Sequence, residues 1–85
     1  MEYSRARGAL PPELNGLLAS QLASAIDEAN LGLADKRMAM RYLVERMPQI
    51  DIAVEMGYSR KTIGKRLKAA VPRVTAAAQQ LNLPQ

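Results

Sequence analysis

The chain has 85 residues, 48% hydrophobic and 24% charged, which fits one small globular domain with a modest core and excludes a disordered, highly charged chain. It holds no Cys, His or Trp, so thiol catalysis, disulfides, thiolate zinc sites and imidazole bases are excluded together, and cysteine usage leaves the redox compartment open. Twelve Lys and Arg against eight Asp and Glu give a net charge of +4, unevenly spread: residues 1–34 carry −2 and residues 35–85 carry +6.

No stretch has the apolar length of a signal peptide or a membrane span, so a cytoplasmic location and no membrane partner are expected. Residues 1–11 read as a flexible arm whose Arg5 and Arg7 suit phosphate, although fraying is the ordinary state of a terminus. Pro12 suits the first position of a supporting helix within residues 12–31, running to about Asn30, with Leu14, Leu17, Leu18, Leu22, Ala25, Ile26 and Ala29 as its apolar stripe and Gly32 placed to end it. The stripe reads first as core cover, with a dimer seam as the alternative.

A second helix is expected from about Ala34 to Arg46, with Met40, Leu43 and Met47 inward and Lys36, Arg37 and Arg41 outward. Its methionines suit an adaptable core better than a cofactor site. Pro48 opens a third helix reaching about Met56, with Ile52, Ala53 and Met56 buried.

Residues 52–67, IAVEMGYSRKTIGKRL, carry the functional signal. A small residue at Ala53 allows a second helix to cross closely, and Gly57, four positions on, lets the chain leave the third helix in a left-handed conformation. Ser59 then caps a new helix by accepting from the amide of Lys61 or Thr62. This is the spacing of a helix-turn-helix, and the expected partner is double-stranded DNA.

At 3.6 residues per turn, Ile63, Leu67, Ala70 and Val71 share one side of the new helix, and Arg60, Lys61, Gly64, Lys65 and Lys68 share the other. Ser59 to Arg73 holds six Lys or Arg and no acid, so counterion release on docking to phosphates favours binding. Gly64, mid-helix at a cost of about 1 kcal/mol, leaves room for close approach to the target or to a neighbouring helix. The DNA-binding residues expected are Ser59, Arg60, Lys61, Thr62, Gly64, Lys65, Arg66 and Lys68. Pro72 is expected to end or kink this helix, leaving a closing helix over 72–82 with Val74, Ala77, Ala78 and Leu81 inward. The whole is an all-α bundle of four to five helices, a single domain over 1–85.

Residues Leu33 to Val74 resemble the promoter-reading C-terminal helix-turn-helix of bacterial sigma factors and, more distantly, LuxR-type output domains. The likeness rests on Asp51-Ile52-Ala53, Met56-Gly57-Tyr58-Ser59, Thr62-Ile63 and Arg66-Leu67. It implies that the helix from Ser59 lies in the major groove, with Arg60, Lys61 and Lys65 at bases or phosphates, and it leaves RNA polymerase open as an alternative partner. Arg46 stands where sigma domains usually have Gly, and Pro48 replaces the usual capping Ser or Thr. The segments with which sigma factors bind core polymerase and melt DNA have no counterpart, so a small sigma-like regulator of a bacterial, phage or mobile-element promoter is implied.

Other readings of the same residues are a DNA-recognition module of phage machinery, terminase small-subunit-like or recombination accessory, and an adaptor that docks on RNA polymerase. A homodimer on paired half-sites is a further alternative. Asp27-Glu28 and Asp51 with Glu55 form no catalytic constellation, so neither enzymatic activity, nor a cofactor, nor a metal site is expected. Glu45, Asp51 and Glu55 read as solvated residues or as partners for Arg41 or the basic helix.

Overall fold

The computed structural model describes residues 14–81, and these are all-helical, with no strand among them. The expected arm over 1–11 and Pro12 lie outside the described residues. Helix α1 spans Ala19–Glu28, α2 Leu33–Ala39 with a π-helical continuation Met40–Val44, α3 Gln49–Met56 and α4 Arg60–Gln80. No helix among them is long and apolar enough to cross a membrane.

The first helix starts later than its stripe implies. Gly16 has φ +103°, and the turn it makes at Asn15-Gly16 keeps Leu14 to Leu18 out of the helix. Leu18 becomes the N-cap residue, its amide donating to Gln21 Oε1 at 2.8 Å, and its side chain is 65% exposed, not in the stripe. Leu14 stays fully buried, so the turn folds its side chain onto the core without helix. At the other end Asn30, with φ +57°, ends α1; Gly32, at φ −66°, is the N-cap of α2.

The second helix also departs from simple α periodicity. Leu43 is buried as expected, but Met40 and Met47 are half-buried, and the fully covered residues are Met38 and Ala39. Beyond Met40 the phase changes: Glu45 N donates to Met40 O at 3.1 Å, five residues back, so a 3.6-residue wheel misplaces Met47, which follows this π turn. The segment ends at Arg46, a non-glycine residue at φ +57°, a conformation that costs an L-residue about 1–2 kcal/mol.

Helix α4 is continuous through Pro72, which corrects the expected break and makes the closing helix its second half. Ile63, Leu67, Ala70, Val74, Ala77 and Ala78 form one buried stripe across the proline, which is itself exposed. Leu81, expected inward, is the C-cap residue and 38% exposed. The stripe serves two cores. Ile63 and Leu67 pack with Met38, Ile52 and Ala53; Val74, Ala77 and Ala78 pack with Leu22, Ala25, Ile26, Ala39 and Leu43. Half-buried Tyr42 touches both. The α1 stripe thus covers the second half of α4.

Helices α3 and α4 are joined by Gly57, Tyr58 and Ser59. Gly57 has φ +76°, and its amide and that of Tyr58 donate to Ala53 O at 2.9 and 3.1 Å, closing α3. A Cβ on Gly57 would meet nothing within 4 Å, so Gly57→Ala adds backbone strain alone. Its expected cost is about 1–2 kcal/mol by urea denaturation, and a neutral substitution would show that the turn relaxes.

Candidate nucleic-acid interface

The start of α4 is built as its sequence demands. Ser59 Oγ accepts from the Thr62 amide at 3.0 Å and donates to Thr62 Oγ1 at 2.9 Å. Thr62 is therefore half-buried in the cap, and Ser59 spends its hydroxyl there. The capped end then carries Arg60 and Lys61, with no acid in the first turn. Cations at a helix N-terminus oppose the macrodipole by about 0.3–1 kcal/mol each, so helix stability does not explain them.

The ten Lys and Arg of residues 35–85 divide into two groups. Four are engaged: Lys36 with Asp27 at 2.9 Å, Arg41 with Glu45 at 2.7 Å and Glu55 at 2.8 Å, Arg66 with Asp35 at 3.2 Å, and Arg73, whose Nη2 donates to Ala29 O at 3.2 Å at the C-terminal end of α1. The hydrogen bonds to Glu55, then Glu45, raise the Arg41 pKa above its ordinary value. Six have no such partner among the described residues: Arg37, Arg46, Arg60, Lys61, Lys65 and Lys68. Four of the six lie in the first nine residues of α4, and all four are exposed.

No family model, curated protein or solved structure matches the chain.

Among the expected DNA-binding residues, Lys61, Lys65 and Lys68 share the outer face of α4, opposite Ile63, Leu67 and Ala70, and Arg60 stands at its tip. Arg66 and Gly64 are placed elsewhere. The Arg66 guanidinium lies 5.3 Å from the centre of the Tyr58 ring while pairing with Asp35, so it ties the turn and α2 to α4. Asp35 is 31 residues from Arg66, and no local pattern announces that pair. Gly64 faces the start of α3, where a Cβ would stand 3.2 Å from Gln49 Oε1. That atom ends a flexible side chain. Gly64→Ala is therefore expected to raise stability by up to about 1 kcal/mol through helix propensity, read from the urea midpoint. A net loss would mean that Gln49 is held fixed against α4.

Proposed function

We propose that this chain is a sequence-specific double-stranded DNA-binding protein in which α3, the Gly57–Ser59 turn and α4 act as a helix-turn-helix, a small sigma-like transcriptional regulator of a bacterial, phage or mobile-element promoter. The observation that carries the reading is the concentration of Arg60, Lys61, Lys65 and Lys68, exposed and without acidic partners among the described residues, on the first part of α4. Helical rise puts these four within about 12 Å, near the width of the B-DNA major groove. Beyond Lys68 the exposed residues of α4 are Ala69, Pro72, Arg73, Ala76, Gln79 and Gln80, so one end of the helix is cationic. The capped N-terminus adds its own positive potential there. Binding, not catalysis, is the role this supports.

One observation favours the adaptor reading: Ile50 and Val54, one turn apart on α3, are 47% and 79% exposed. Such apolar side chains suit a protein partner such as RNA polymerase.

Selection of bound sequences from a random duplex pool tests the proposal. The expected result is an enriched site whose affinity falls with salt at a slope of about −3.6 in log–log form, if all four cations meet phosphates. No enrichment and no salt-dependent binding would leave the adaptor reading. A palindromic site would indicate a homodimer on DNA, and a single asymmetric element a sigma-like monomer.

A further inference from the structure

The corner between α2 and α3 carries a cation that the α4 face does not account for. Arg46 is exposed, makes no ion pair or hydrogen bond among the described residues, and sits in the left-handed region at φ +57°. Glycine would occupy that conformation without strain, whereas arginine holds it at a cost. The one other non-glycine residue with positive φ among the described residues is Asn30, whose short amide side chain tolerates the region. What arginine adds over glycine at this corner is a long side chain ending in a charge.

Among the described residues, the neighbours leave that charge unpaired. Glu45 is already paired with Arg41, and Asp51, an exposed acid in the first turn of α3, makes no ion pair with Arg46. Arg46 lies in the link of residues 45–48, and Tyr42 before that link and Gln49 after it line one shallow groove with Gly64 and Lys68 of α4. One side of that groove therefore carries Lys68 from the cationic face, and the other carries Gln49, three residues after Arg46 in the chain.

We propose that Arg46 is a second anchor for the DNA sugar-phosphate backbone, holding a phosphate from the α2–α3 corner while Lys61, Lys65 and Lys68 hold others from α4. This rests on the duplex-DNA reading and extends its contact surface to a second element. Two separated points of attachment fix the angle of α4 on the duplex, because a single cationic stripe leaves the helix free to roll about its own axis. Phosphate contacts of this kind set register and orientation without reading bases.

The test uses the full chain, a mixed-sequence duplex of about two helical turns, and the variants Arg46→Gly, Arg46→Asn and Arg46→Lys. Arg46→Gly and Arg46→Asn suit the backbone conformation and remove the charge; Arg46→Lys keeps the charge. The expected result is that the two neutral variants melt no lower than the parent, yet bind about fivefold more weakly at 0.15 M salt with a slope shallower by about 0.9, and that Arg46→Lys retains the parental slope. Parental slope in both neutral variants would overturn the anchor while leaving DNA binding intact. A parent chain with no salt-dependent affinity for any duplex would instead overturn the DNA reading, and the anchor with it.

Discussion

Replacing Lys61, Lys65 and Lys68 together with alanine is expected to lower duplex affinity about a hundredfold at 0.15 M salt and to make the log–log salt slope shallower by about 2.7. The magnitude comes from counterion release: each phosphate contact contributes a salt exponent of about 0.9, worth roughly fivefold in affinity at that concentration. The fold should not suffer. All three side chains are exposed, none has a partner to lose among the described residues, and alanine is at least as good a helix former as lysine. Circular dichroism and thermal melting of the triple variant should match the parent. Arg66→Ala is the informative contrast, because Arg66 is held by Asp35 and the Tyr58 ring: a small loss of stability with an almost unchanged salt slope is expected. If the triple variant binds as the parent does, this face of α4 is not the interface.

How much of the fold and of the interface is legible in the sequence depends on how local the cause is. Gly57 and Ser59 act through backbone groups within four residues of themselves, so residue type and spacing suffice to place the left-handed turn and the cap. The division of the ten cations is not legible in the same way. Arg66 and Lys68 are equivalent in a charge count, but Arg66 faces Asp35 across the fold and Lys68 faces outward. The sequence puts both on the basic helix; only the packing of α2 against α4 separates them.

The remaining departures come from periods other than 3.6. The π turn at Met40–Val44 adds a residue to one turn and leaves Met47, which follows it, half-buried. Asn15-Gly16 is a plain turn signal, but the leucine stripe that runs through it points to unbroken helix. Leu14 shows why the stripe misleads: a residue reaches the core from a turn as readily as from a helix. Arg46 stands out in the sequence as an arginine where the resembled domains usually have Gly, but its positive φ and its lack of an acidic partner among the described residues are properties of the folded chain.

Pro72→Ala is expected to stabilise the protein by about 2 kcal/mol and to raise its melting temperature by on the order of 10 °C. Proline in a helix interior costs about 3 kcal/mol relative to alanine, since it removes the amide that would donate to Lys68 O and crowds that carbonyl. Alanine returns part of the gain, up to about 1 kcal/mol, because its unfolded chain has more freedom to lose. The helix tolerates Pro72 because burial on both sides of it is continuous. Ile63 and Leu67 are anchored against α3, and Val74, Ala77 and Ala78 against α1, so ending α4 at the proline would expose one set or the other. Thr75 Oγ1 donates to Val71 O at 3.1 Å beside it, an additional local tie. DNA affinity should not change, since Arg60, Lys61, Lys65 and Lys68 all precede the substituted turn. A variant that melts below the parent would show that the distortion imposed by proline is what seats Val74 and Ala77 on α1, and that the two halves of α4 are set at an angle a straight helix does not reproduce.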